Sequence, residues 1–135
     1  MNAIKLKIDL STVLMTDIKL WDKAKKGYSS LYIAVDTGAS VTTISKEILH
    51  HAGYDISTGD IRKFITASGV EYVRAITLEK IKLDTYEMDD VLVYAHTFPQ
   101  ESFVAGVLGL NVLSEFDVNI LFSKGLMELT RIPKI

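Results

Sequence analysis

Cysteine is absent from this chain, which excludes disulfides, thiolate metal sites and cysteine nucleophiles. Charge of one sign is also missing. Fifteen basic and seventeen acidic residues leave a formal net charge of −2, so the balance points to neither nucleic acid nor a polybasic membrane contact. No apolar run reaches the length of a membrane span. The first residues, Met1-Asn2-Ala3-Ile4-Lys5-Leu6, alternate apolar and polar side chains instead of forming a signal-peptide core. Linkers, low-complexity tracts and repeats of repeat-protein length are lacking too. What is there is 135 residues with 48% hydrophobic content, enough for one core in one domain spanning 1–135. A soluble cytoplasmic protein is the expectation.

The dominant pattern has period two. Ile4, Leu6, Ile8 and Leu10 alternate with Lys5, Lys7 and Asp9, predicting a first strand with one wet face. Further strands are expected over 13–21, 31–35, 41–44, 61–66, 71–78, 81–83, 91–95, 104–108, 118–122 and 126–129. Residues 23–30 read as a charged turn, 84–90 as an acidic turn and 96–103 as a loop. Ser45 can cap a short helix over 46–51, with Gly53 to end it. Leu110, Leu113 and Phe116 have helical spacing, so Gly109 opens a second short helix. Many short strands, frequent turns and two short helices predict a mainly β, compact barrel or sandwich. Strand, glycine turn and mixed segment occur at 35–44 and again at 107–113, a weak internal echo.

Chemistry concentrates in Asp36-Thr37-Gly38-Ala39-Ser40. The apolar approach puts Leu31, Ile33 and Val35 on one face, and the exit, Val41-Thr42-Thr43-Ile44, is β-branched. A carboxylate at a buried strand end is costly unless its charge is used or satisfied. Gly38 lets the backbone fold back so that amide N–H groups can point at Asp36, and Thr37 adds a hydroxyl. The alternative is an Asx-type turn with no further role. The chain has one such turn. Ser57-Thr58-Gly59 lacks the acid and Asp84-Thr85-Tyr86 lacks the glycine, so a two-carboxylate site needs two chains.

These residues resemble the retroviral-type, retropepsin-like aspartic proteases, the single-domain branch that works as a homodimer. The resemblance rests on Ala34 to Ser40, on Val107-Leu108-Gly109-Leu110-Asn111, and on a glycine-bearing hairpin, 64–74, where the family has its flap. Its tail, 110–119, is similar to bacterial members. The resemblance implies a closed β barrel and an aspartic endopeptidase needing no cofactor. Asp36 of each chain would be catalytic. Thr37, Gly38, Ala39 and Gly109 would support the site, and Ser68, Gly69, Val70, Tyr72 and Val107 would meet an extended peptide. It implies a peptide or protein substrate, a homodimer, and neither nucleic acid nor membrane as partner. The termini near Ile4 and Ile132 are candidates for an intermolecular sheet. Two positions depart from the viral pattern. Ser40 stands where an acid is common and Leu110 where an arginine is common, and those charges help tie the viral dimer.

Other groups read as structural. His50 and His51 suit an exposed helix end better than a metal site, and His96 is isolated. Asp84, Glu87, Asp89 and Asp90 lack the spacing and glycine of a calcium loop. A catalytically silent peptide-binding or dimerisation module on the same fold is the alternative function. Nucleotide chemistry of the actin-like kinase type needs two larger domains than this chain can form.

Overall fold

The computed structural model describes residues 2–8, 14–99 and 104–134. In chain order the strands are β1 (Asn2–Lys5), β2 (Lys7–Ile8), β3 (Leu14–Asp22), β4 (Gly27–Val35) and β5 (Thr42–Ser45). Helix α1 (Lys46–His51) precedes β6 (Asp60–Thr66), β7 (Gly69–Leu83), β8 (Tyr86–His96) and β9 (Gly106–Leu108). Helix α2 (Leu110–Leu113) then leads to β10 (Phe116–Leu121) and β11 (Leu126–Arg131). About 60% of the described residues are strand, and six of the strands close into a barrel.

The ring runs β3-β4-β9-β5-β8-β7, and Lys19↔Lys82 and Leu20↔Ile81 pair β3 with β7 to close it. Its interior is filled by the period-two residues. Ile18 and Leu20 come from β3, Leu31, Ile33 and Val35 from β4, and Ile76 and Leu78 from β7. Val91, Val93 and Ala95 of β8 complete that wall. A separate sheet, β1-β11-β10, adds Ile4, Met127, Leu129 and Phe116 to the same core.

The insertion of β9 between β4 and β5 matters most for the site. β9 runs parallel to β4 (Ala34↔Val107, Val35↔Leu108) and antiparallel to β5 (Thr43↔Val107, Ile44↔Gly106). The strands on either side of the Asp36 turn are therefore held apart by β9. The two echoed segments lie side by side, with the Asp36 N–H donating to the Leu108 carbonyl at 3.1 Å.

Several expectations are corrected. The first strand breaks at Leu6, so β1 and β2 belong to different sheets; its continuation to Leu10 lies outside the described residues. The charged turn is only residues 23–26, because Gly27–Ser30 already pair with β3. Residues 71–78 and 81–83 are one strand, β7: its pairing with β8 skips Glu79, opposite Asp90 with φ +53°, and resumes in the same register at Lys80↔Asp89. Only Asp84 and Thr85 form the acidic turn. Glu87 is a strand residue that accepts a 2.6 Å hydrogen bond from the Tyr28 hydroxyl, and this bond lowers its pKa. Burial first, and that bond second, push Tyr28 up to about 12. Ser45 precedes α1 as expected, but its hydroxyl donates to the Glu47 carboxylate instead of capping a backbone N–H. Phe116 begins β10 and is not helical. Residues 100–103 of the predicted loop lie outside the described residues.

Candidate active site

β4 delivers Asp36 to the surface immediately after buried Val35. The side chain was expected to be buried; Asp36, Thr37 and Gly38 are all exposed in the single chain. Strand burial ends one residue earlier, because the turn lifts away from the barrel where β9 ends. Water therefore solvates the carboxylate and removes the desolvation cost anticipated for it. One amide points at it: the Gly38 N–H donates to Asp36 Oδ1 at 2.8 Å. Gly38 does not use a left-handed φ. A Cβ there would stand 3.1 Å from Asp36 Oδ1, so the missing side chain is what lets the carboxylate lie over the turn.

The turn is fixed from below by the start of α2. The Leu110 N–H donates to the Ala39 carbonyl at 2.8 Å and the Asn111 N–H to the Ser40 carbonyl at 3.1 Å. Gly109 approaches so closely that a Cβ would lie 2.8 Å from the Val41 carbonyl carbon and 2.9 Å from the Ala39 oxygen. Its N–H donates to Thr42 Oγ1 at 3.0 Å. Thr42 in turn donates to Asn111 Oδ1 twice, from its N–H at 2.8 Å and its hydroxyl at 2.9 Å. Asn111 Nδ2 donates to the Leu92 carbonyl at 2.7 Å, tying the arrangement to β8. A hydroxyl that donates and accepts, and an amide that does both, are the side chains such a closed network needs.

Above the turn is a cleft of about 440 Å³. Asp36, Gly38, Ala39, Ser40 and Val41 form its floor, and Lys63, Phe64, Ile65 and Thr66 of β6 with Tyr94 form the rest. The β6–β7 hairpin is the roof. Its register, Thr66↔Gly69 through Asp60↔Ala75, is uninterrupted, and its tip is Ala67-Ser68 with Gly69 at φ +130°. The Phe64 ring packs edge-on to Tyr94 and His96, anchoring β6 to β8.

Among the expected residues, the structure brings Asp36, Gly38 and Ala39 together in the cleft, with Gly109 beneath them. Thr37 is exposed beside them. Ser68, Gly69, Val70 and Tyr72 lie at the tip and on the β7 side of the hairpin, outside the cleft wall of this one chain. Val107 sits in β9 between Ala34 and Thr43, also outside it. Sequence reasoning missed Thr42 and Asn111. They are 69 residues apart, and only the β9 insertion makes them neighbours. The same reasoning placed Phe64 to Thr66 in the flap hairpin without naming them as site residues, and it missed Lys63. Among the described residues, no cluster of three or more His, Asp or Glu is placed to hold a metal ion.

Comparison with known proteins agrees with this geometry. The aspartyl protease family matches residues 27–112, from the start of β4 through Asn111 and Val112 of α2. A crystal structure of a retropepsin-like aspartic protease from Rickettsia conorii superposes with a TM-score of 0.69 at 21% identity. The match covers 95% of this chain and 88% of that one, so the fold is shared over nearly its whole length. No match was found among curated proteins. A carboxylate in a glycine turn, clamped by a second glycine segment beneath a hairpin roof, is thus accounted for by descent: the chain belongs to the aspartyl protease family, an aspartic-type peptidase on a retropepsin-like fold.

Proposed function

We propose that the protein is an endopeptidase acting as a C2 homodimer, hydrolysing extended peptide segments with a water held between Asp36 and the partner's Asp36. The observation that carries this reading is that Asp36 is the one carboxylate among the described residues lining the cleft. Peptide hydrolysis by this route needs an ionised carboxylate as general base and a protonated one to polarise the scissile carbonyl. Two carboxylates about 3 Å apart share a proton and titrate as a coupled pair. A second copy of the same turn supplies the missing group through an isologous contact.

Other features support the reading. Thr37 is exposed and makes no side-chain hydrogen bond among the described residues, which suits contact with the partner turn. Leu110, Phe122 and Ile132 are exposed apolar side chains, with Phe122 at 64%. The hairpin around Ser68, Gly69 and Val70 would close over the peptide and exclude water, with Tyr72 on its barrel side and Val107 supporting the floor. The proposed setting is the cytoplasm, on the sequence grounds given above. Among the described residues no helix is long and apolar enough to cross a membrane.

The test is cleavage of a mixed peptide library from acid to neutral pH, comparing wild type with Asp36→Asn while light scattering reports the mass. Asp36→Asn should lower cleavage by roughly a thousandfold or more without lowering Tm. Cleavage that survives in the variant would sink the proposal. A wild-type dimer that cleaves nothing would favour the silent peptide-binding module.

A further inference from the structure

On β7, Ile76 and Leu78 point into the barrel core. Strand residues two apart share a face, so Val70 and Tyr72 continue this face toward the hairpin tip. There the barrel no longer covers them, and they are 51% and 71% exposed. Across the hairpin, Ile65 pairs with Val70 and Lys63 with Tyr72. Lys63 and Ile65 therefore lie on the barrel side of β6, and both line the cleft above Asp36.

Among the described residues lining the cleft, Lys63 is the only cation. No carboxylate of the described residues pairs with it. The Arg62–Asp60 ion pair and the 3.6 Å contact of His96 Nδ1 with the Glu71 carboxylate do not involve it. Arg74, the other cation on the same face, donates to the Gly59 carbonyl. The floor opposite carries one carboxylate among the described residues, Asp36, which makes no ion pair with Lys63; from Gly38 to Val41 it is uncharged. A purely apolar peptide closing this cleft would strip water from the ammonium and give nothing back. A carboxylate would offset that cost, and a second ammonium would be repelled.

We infer that Lys63 makes the cleft select a peptide with an acidic side chain two positions from an apolar one. The acid faces Lys63 and the apolar side chain seats against Ile65. The spacing follows from matching periods: Lys63 and Ile65 are neighbours on one face of a strand, and an extended peptide also presents every second side chain to one face, at about 3.3 Å per residue. This specificity rests on the peptidase reading above.

The test uses the full-length chain and an unbiased mixed peptide library, with products identified by mass. Wild type should favour products with Asp or Glu two positions from an apolar residue, by roughly tenfold over Gln. Lys63→Met, which keeps the aliphatic stem, should flatten that preference, and Lys63→Glu should shift it to Lys and Arg. Lys63 is exposed, so the variants should keep the wild-type Tm. A cleavage profile unchanged by Lys63→Glu overturns the inference and leaves the peptidase reading intact. If wild type cleaves nothing, the peptidase reading fails, and binding of the same peptides to Asp36→Asn, measured by fluorescence anisotropy, decides the inference. Acid preference that reverses with an added Lys63→Glu supports it. Equal or absent binding of acidic and basic peptides overturns it.

Discussion

At Gly109, under the Asp36 turn, an added Cβ would meet backbone on three sides: the Val41 carbon at 2.8 Å, the Ala39 oxygen at 2.9 Å and the Thr42 nitrogen at 3.0 Å. At Gly69, on the tip of the hairpin, nothing lies within 4 Å, and only φ +130° asks for glycine. One glycine answers to space and the other to torsion. The floor is crossed by hydrogen bonds from Gly109, Leu110 and Asn111. Above the anchor at Phe64, the roof is held by its own ladder and a weak Thr66–Gly69 contact of 3.2 Å. Reacting groups need a fixed geometry and substrate entry needs a mobile element, so order is unevenly distributed between the two.

The largest expected effect is at Gly109. The atoms an alanine would touch are backbone atoms of the turn and of β5, so they cannot give way by a rotamer change. Gly109→Ala should destabilise the fold by about 3 kcal/mol and displace Asp36, so that activity falls further than folding does. Denaturant unfolding and kcat on the folded fraction check this. A stable variant with wild-type kcat would show that the floor is softer than its contacts imply.

The floor's chemistry was legible in the sequence and its fastening was not. Leu31, Ile33 and Val35 alternate, so the approach to Asp36 and the core face of β4 could be read directly. Gly109 could be read as a strand-to-helix turn, but not as the residue that touches Val41. That contact depends on β9 entering between β4 and β5, a pairing no local pattern encodes. Thr42 and Asn111 were illegible for the same reason. Asp36 could be placed at the end of an apolar strand, but not the point where burial stops in the single chain, which is Val35. On the roof, the hairpin and its Gly69 tip were readable from turn chemistry. Which of its strands would face the cleft was not, since that depends on how far β7 outruns the barrel.

Asn111→Ala should come next, at about 2 kcal/mol. It would leave the Thr42 N–H and the Leu92 carbonyl without their partner, while water could reach part of the vacated space. Asn111→Asp sharpens the result. It keeps the acceptor for both Thr42 donors, but it sets a carboxylate oxygen against the Leu92 carbonyl and adds a charge. If Asn111→Asp is nevertheless the less destabilised variant, the tie to β5 matters more than the tie to β8.

Gly69→Ala should have the smallest effect on stability, about 1 kcal/mol, because the methyl group meets no atom and only the backbone torsion is strained. Its effect on turnover should be larger than its effect on Tm. A residue that resists φ +130° shifts the tip toward other turn geometries, and with it the position of Ile65 and Val70, which pair just below the tip. KM should therefore rise for extended peptides, whereas Gly109→Ala should act mainly on kcat. The two variants then separate along different kinetic axes, roof on binding and floor on chemistry. The opposite pattern, with Gly69→Ala lowering kcat at constant KM, would mean that the roof also positions the reacting groups, and the division of labour between the two glycines would have to be abandoned.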